Sequence, residues 1–192
     1  HGLWLAGSTM TTVSYSSAAA NSTTAYGLYL DGASTNTIAN VLVSSGVLIN
    51  GGGYNTLSDS TFTAVNNAIY TVQLTGTLGN TLARDSFSHS NANGTALRIE
   101  SGSLNNTVSY STIAAGSTAV SLVSAPNTIL GSYISSLSGH GIVFGASGAL
   151  VSGTTVAVNS GSSYGLYLNS VSNTLFTGGK VLNPIGRGVF ID

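Results

Sequence analysis

Residues 27–49 read GLYLDGASTNTIANVLVSSGVLI, a stretch that begins with a glycine and alternating aliphatic residues and ends with the same pattern. The pattern is a small residue, an aliphatic, any residue and usually a second aliphatic. Its nine copies are Gly2-Leu3-Trp4-Leu5, Gly27-Leu28-Tyr29-Leu30, Gly46-Val47-Leu48-Ile49, Ala68-Ile69-Tyr70-Thr71, Ala96-Leu97-Arg98-Ile99, Ala119-Val120-Ser121-Leu122, Gly141-Ile142-Val143-Phe144, Gly165-Leu166-Tyr167-Leu168 and Gly188-Val189-Phe190-Ile191. The eight intervals from Gly2 to Gly188 give a mean period of about 23 residues, which is typical of a solenoid.

A second motif, Asn-Thr-aliphatic followed after four residues by another apolar residue, runs in step with the first. Its asparagines are Asn36, Asn55, Asn80, Asn106, Asn127 and, in a copy whose next aliphatic comes one residue late, Asn173. Each repeat therefore has three short segments with the apolar–polar alternation of half-buried strands. Three strands per turn, stacked about 4.8 Å apart, predict an all-β parallel β-helix of about eight to nine coils with three parallel sheets.

Alternation within the strands predicts which residues face the core. The first aliphatic of each glycine motif should point inward, and the next residue should point outward. The asparagines of the second motif should also point inward, where stacked amides hydrogen-bond along the solenoid. The threonines that follow them should form an outward column. Its members are Thr12, Thr37, Thr56, Thr81, Thr107, Thr128, Leu150 and Thr174.

These two motifs together resemble the right-handed parallel β-helix repeat of the pectate-lyase-like superfamily, over essentially the whole chain. The superfamily's second asparagine is replaced here by Ser60, Asp85, Ser111 or Ser132. The resemblance implies a right-handed β-helix. It implies little about activity, because the superfamily includes polysaccharide lyases, glycoside hydrolases, tailspikes and adhesins.

Composition fits one domain over residues 1–192, which we expect to be a segment of a longer secreted or cell-surface protein. Charged residues make up 5% of the chain, against roughly 25% in ordinary soluble domains, and the net charge is −1. This balance gives no electrostatic reason to expect nucleic acid as a partner. No apolar run reaches the roughly 18 residues that a membrane span needs. The chain has no cysteine, and no cofactor is expected.

Nine charged side chains leave few candidates for catalysis. Asp31 and Glu100 should lie three coils apart, at about 14 Å, which exceeds the roughly 5–9.5 Å between paired carboxylates in glycosidases. Asp59 and Arg84 should form a surface ion pair. Asp85 offers the one close second carboxylate, although the pleat should turn it to the opposite face. Asp59 and Asp85 are therefore weak catalytic candidates, and no histidine spacing indicates a metal site.

The outward column of the glycine motif predicts a binding surface. Its aromatic members are Trp4, Tyr29, Tyr70, Tyr167 and Phe190. Such a stripe suits sugar stacking or self-association with a second copy of the chain. We therefore expect a non-catalytic extracellular β-solenoid with a structural or adhesive role. Two alternatives are open: a polysaccharide-processing enzyme (lyase or glycoside hydrolase), and an ice-binding protein that uses the threonine-rich face.

Overall fold

A computed structural model describes residues 1–22, 24–65 and 70–192, and all its regular elements are short parallel strands, β1 to β25 in chain order. Every strand pairs with the strand three places further along the chain, so each coil contributes one strand to each of three sheets. The result is a β-solenoid of about eight coils, which confirms the predicted architecture.

The first sheet has nine strands, and eight of them are copies of the glycine motif. Its strands are β1 (Leu3–Ala6), β4 (Leu28–Asp31), β7 (Val47–Asn50), β10 (Val72–Thr75), β13 (Leu97–Glu100), β16 (Val120–Leu122), β19 (Ile142–Phe144), β22 (Tyr164–Leu168) and β25 (Arg187–Ile191). The first aliphatic of each of these strands shares a register position with its neighbours. Leu28, for example, pairs with Leu3 and Val47 and is fully buried.

The second and third sheets have eight strands each. The second sheet contains β2 (Thr12–Ser14), β5 (Thr37–Ala39), β8 (Thr56–Ser58), β11 (Thr81–Ala83), β14 (Thr107–Ser109), β17 (Thr128–Leu130), β20 (Leu150–Ser152) and β23 (Leu175–Thr177). The third sheet contains β3 (Ser17–Ala18), β6 (Leu42–Ser44), β9 (Thr61–Ala64), β12 (Ser86–His89), β15 (Thr112–Ala115), β18 (Tyr133–Ser136), β21 (Thr155–Val158) and β24 (Lys180–Leu182).

One thin apolar core runs the length of the solenoid, and a buried asparagine ladder borders it. The members of the ladder are Asn36, Asn55, Asn80, Asn106 and Asn127. The backbone N–H and the side-chain Nδ2 of Asn55 both donate to Oδ1 of Asn80, at 2.9 and 3.0 Å. Asn80 donates in the same way to Asn106 at 2.9 Å. The ladder therefore satisfies polar groups that the core would otherwise leave without partners.

The predicted register is wrong in the fourth copy of the glycine motif. We predicted Ile69 as the inward residue and Tyr70 as the outward one, but Val72 pairs with both Val47 and Leu97. Ala68 and Ile69 lie outside the described residues. The observed frame buries Val72 and Leu74 completely, so it places two aliphatic side chains in the core where the predicted frame offers one.

The last copy of the second motif is also shifted, by one residue. Leu175 and Phe176 pair with Leu150 and Val151, so Asn173 is exposed and does not join the ladder. Thr174 likewise leaves the outward column, and Leu175 takes its place. The shift places Phe176 five residues before Val181, the spacing that the other coils use to fill two core positions. None of the described residues belongs to a helix with the length and hydropathy that spanning a membrane requires.

Candidate functional site

The outer face of the first sheet carries the predicted aromatic residues in two groups, separated by a polar middle. Four of the five predicted binding residues lie in its outward column. That column reads Trp4, Tyr29, Leu48, Gln73, Arg98, Ser121, Val143, Tyr167 and Phe190. Tyr70 lies instead in a neighbouring column, two residues before the inward residue of its coil. This leading column reads His1, Tyr26, Ser45, Tyr70, Thr95, Thr118, His140, Tyr164 and Arg187.

The first aromatic cluster consists of His1, Trp4, Tyr26 and Tyr29. Trp4 and Tyr29 stack with ring centroids 6.0 Å apart and planes inclined by 8°. The His1 ring lies 4.7 Å from Tyr29 and 6.2 Å from Tyr26. Trp4 is 58% exposed, so this cluster offers an aromatic surface to a ligand.

The second aromatic cluster consists of His140, Tyr164, Tyr167 and Phe190. His140 stacks on Tyr164 with centroids 5.3 Å apart and planes inclined by 2°. Phe190 stacks on Tyr164 at 4.7 Å and lies 5.6 Å from Tyr167. Arg187 Nη1 donates to the Tyr164 hydroxyl at 3.2 Å. The cluster therefore combines ring faces with a hydrogen-bonding edge.

A chain of hydrogen bonds occupies the middle of the face. Tyr26 Oη donates to Gln73 Oε1 at 2.7 Å, and Gln73 Nε2 donates to Glu100 Oε1 at 2.6 Å. Arg98 Nε donates to Glu100 Oε2 at 2.6 Å. The Arg98 guanidinium carbon lies 5.1 Å from the centroid of the Tyr70 ring. Four of these five side chains are oriented by a hydrogen bond, and Tyr70 is held beneath a cation.

A smaller polar group extends this chain toward the first cluster. Asn50 Nδ2 donates to the Tyr29 hydroxyl at 3.1 Å and lies 3.3 Å from Asp31 Oδ1. The face therefore presents amide, carboxylate and hydroxyl groups between its two aromatic clusters.

Burial sets the protonation of Tyr26. Removal of the phenol from water, together with nearby Tyr70 and Glu100, raises the pKa of Tyr26 above its ordinary value. The phenol therefore keeps its proton, and remains a donor to Gln73, to a higher pH than an exposed tyrosine would.

Burial also lowers the pKa of His140, so the neutral imidazole is favoured. This agrees with the hydrogen bond in which the Tyr164 backbone N–H donates to His140 Nδ1 at 3.1 Å. The sequence pattern did not indicate His1, Tyr26, His140 and Tyr164 as site residues, because they lie outside the outward column of the glycine motif. The His-Gly and Tyr-Gly pairs before the strands were the available signal.

The two weak catalytic candidates do not face a common surface. Arg84 Nε and Nη2 donate to the two carboxylate oxygens of Asp59 at 2.7 Å each, and this bidentate pair is solvent-exposed. The hydrogen bond from Arg84 holds the pKa of Asp59 below its ordinary value. Asp85 is 2% exposed and lies at an inward position beneath the pair. Across the described ranges, no three His, Asp or Glu side chains lie close enough to hold a metal ion.

The second sheet presents the predicted threonine column. Six threonines occupy one register position on consecutive coils: Thr12, Thr37, Thr56, Thr81, Thr107 and Thr128. Leu150 and Leu175 continue the position beyond them. Tyr54 and Tyr110, at the edges of this sheet, are 61% and 69% exposed.

Comparison of the sequence with families of known proteins gives one match. Residues 1–156 match the family model described as a right-handed β-helix region. A search of curated proteins finds no match. The matched residues include six of the threonine-bearing coils and the first aromatic cluster. Because the match spans most of the chain and the structure has the same architecture, the chain belongs to the right-handed β-helix family.

Proposed function

We propose that this chain is a non-catalytic, adhesive segment of an extracellular or cell-surface protein, and that it binds a glycan on the outer face of the first sheet. The observation that carries the proposal is the arrangement of two aromatic clusters around a row of hydrogen-bonding side chains. Aromatic rings pack on the C–H faces of sugars, while amides and carboxylates bond their hydroxyls. Ligand sites commonly combine apolar rings with a few fixed polar groups in this way.

The polar middle favours a glycan over a second copy of the chain. Glu100 and Arg98 lie at the centre of the face, and charged groups are depleted at the centre of protein–protein interfaces. Each Glu100 carboxylate oxygen accepts one hydrogen bond on the face and keeps a further acceptor position, and an apolar partner would remove water from that position without replacing it. Hydroxyl groups of a sugar can bond to the same atoms without that cost.

The positions of the carboxylate side chains support a non-catalytic role. Asp59 is paired with Arg84 at the surface, and Asp85 is buried. Asp31 and Glu100 belong to strands β4 and β13, three strand spacings or about 14 Å apart. Both known arrangements of glycosidase carboxylates are shorter than this, at roughly 5–9.5 Å.

The test is retention on insoluble cellulose, chitin, xylan, mannan, pectate and alginate, with and without Ca²⁺. Tyr167→Ala should weaken retention on the preferred glycan by at least about tenfold because an aromatic contact of the second cluster is lost. Tyr133→Ala, a tyrosine on the third sheet, is the matched control and should leave retention unchanged. Equal retention of the Tyr167→Ala and Tyr133→Ala variants would show that the binding site does not lie on the first sheet. Release of soluble sugars by the wild-type chain would favour the enzymatic alternative, and light scattering checks for self-association.

Ice binding is a second candidate, favoured by the in-register threonines of the second sheet. Their hydroxyl and methyl groups repeat at the strand spacing of about 4.8 Å on a parallel sheet. Thr81→Lys should then abolish thermal hysteresis, since a long charged side chain would stand in the middle of the column. Thr61→Lys, at an exposed position of the third sheet, should retain it. A wild-type chain without thermal hysteresis excludes this candidate.

A further inference from the structure

We infer that the ligand of the first sheet is a linear, uncharged polysaccharide that lies along the solenoid and is held at two equivalent clusters. This inference rests on the proposed glycan-binding function and specifies its ligand. It comes from an internal duplication that spans the face.

The duplication is visible in the sequence once the structure aligns the coils. Residues 1–5 read HGLWL and are followed on the next coil by YGLYL at residues 26–30. Residues 140–144 read HGIVF and are followed by YGLYL at residues 164–168. In both places a histidine of the leading column is followed by a tyrosine of the same column and by a second tyrosine in the outward column.

The two copies also share their geometry. The Tyr26 backbone N–H donates to His1 Nδ1 at 3.1 Å, and the corresponding bond joins Tyr164 to His140 at 3.1 Å. The histidine ring lies 4.7 Å from the outward tyrosine in the first copy and 5.2 Å in the second. The two tyrosines of each coil lie 6.5 and 5.7 Å apart. The structure therefore contains the same aromatic arrangement twice.

The repeat of the fold does not require this arrangement. Close packing explains the glycine that follows the leading residue. A Cβ on Gly27, for example, would lie 2.0 Å from the Ser44 carbonyl oxygen. The leading residue before it has no such constraint, because other coils carry Ser45, Thr95 and Thr118 there. Between the copies, the outward column holds Leu48, Gln73, Arg98 and Ser121. Apart from Tyr70, which lies beneath Arg98, the aromatic residues of the two columns are therefore confined to two places, which points to a ligand rather than to strand stability.

The separation of the copies determines the form of the ligand. His1 and His140 precede β1 and β19, which are six strand spacings apart, or about 29 Å. A glycan that contacts both clusters must be an extended chain that runs along the solenoid axis. The hydrogen-bonding row of Gln73, Glu100 and Asn50 lies between the clusters, where the middle units of such a chain would pass.

Charge favours an uncharged polymer. Asp31, Glu100 and Asp192 are the acidic side chains of the face, and Arg98 is paired with Glu100. Arg187, at one end, is the other arginine in the two columns, which contain no lysine. The face therefore has no excess of positive charge with which to attract an acidic polysaccharide.

The experiment compares a polymer with its own short oligomers, using soluble derivatives of cellulose, xylan and mannan in calorimetry. Attachment at two clusters makes the second contact intramolecular, which strengthens binding by a factor of about 10²–10⁴. Wild type should therefore bind the polymer about 100-fold more tightly than an oligomer too short to span the clusters. Tyr29→Ala and Tyr167→Ala should each reduce polymer affinity to the level of the short oligomer, and the double variant should abolish binding. Tyr133→Ala is the control, and thermal unfolding checks that each variant is folded.

The results that would contradict this inference differ from those that would contradict the proposed function. If one single variant abolishes binding and the other changes nothing, the face has one site and the two-cluster inference is wrong while the proposed function stands. Equal affinity of the wild-type chain for the polymer and for the short oligomer would likewise show that the face has one site, and the proposed function would stand. Preference for pectate or alginate over every neutral polymer overturns the inference of an uncharged ligand. Failure to bind any glycan overturns the proposed function and this inference together.

Discussion

Asn80→Ala should lower the free energy of unfolding by about 3–5 kcal/mol. The side chain lies at the centre of the asparagine ladder and is fully buried. Its removal leaves the backbone N–H and Nδ2 of Asn55 without their shared acceptor, and takes from Asn106 Oδ1 one of its donors. Each buried polar group without a partner costs about 1–3 kcal/mol, and the cavity adds to that cost. Urea unfolding followed by circular dichroism measures the difference.

Asn173→Gly is the matched control for this ladder prediction. Asn173 begins the same Asn-Thr-Leu motif, but it is exposed, and within the described ranges its side chain makes no hydrogen bond. Its φ of 51° is one that glycine adopts freely, so the substitution adds no backbone strain. We expect a change within about 0.5 kcal/mol. A loss for Asn173→Gly as large as that for Asn80→Ala would show that the ladder does not supply the stability.

The repeat itself was predictable because each coil imposes the same requirement on the same position. A Gly27 side chain would collide with the neighbouring backbone, Leu28 fills the core, and Asn36 joins the ladder. These requirements recur with the coil period, so a single sequence displays them many times. The same argument explains why the asparagine and threonine columns were assigned to the correct faces over most of the chain.

Prediction failed where two frames satisfied the same pattern. Ile69 follows Ala68 and Val72 follows Thr71, both residues can begin an alternating segment, and only the pairing with Val47 and Leu97 distinguishes them. The candidate site was partly missed for a related reason. Its histidines and leading tyrosines lie at or before the start of each strand, two residues ahead of the inward aliphatic, and the glycine motif does not include them. Their proximity follows only once the coils are stacked in register.

Asp85 occupies a column in which most coils carry a hydroxyl residue: Ser16, Ser60, Ser111, Ser132 and Thr154. On other coils, Ser60, Ser111 and Ser132 each accept a backbone N–H from one neighbouring coil. Each also donates its hydroxyl proton to the carbonyl two residues earlier. Asp85 Oδ1 accepts from the Ser60 N–H at 2.9 Å, but Oδ2 is buried without a partner in the described part of the chain. A carboxylate cannot donate, so the ionised form is poorly suited to this position.

Burial, with a smaller contribution from the nearby Asp59 carboxylate, raises the pKa of Asp85 from 3.8 to about 7. The native state therefore binds this proton more tightly than the unfolded chain, whose pKa is near 3.9. The contribution of the protonated group is fully present below about pH 4, falls as pH rises, and is lost above about pH 7.

Asp85→Ser should consequently raise the free energy of unfolding at pH 8, by up to about 4 kcal/mol, and change it little at pH 4. Serine restores the hydroxyl of the neighbouring coils, so it keeps the acceptor for the Ser60 N–H and supplies the missing donor. Urea unfolding from pH 4 to pH 8 measures the two curves, which should diverge between those limits. Asp59→Ser is the control and should keep most of the pH dependence, because burial of Asp85 is its main cause. Parallel curves for wild type and Asp85→Ser would show that the buried carboxyl does not govern the stability of the solenoid.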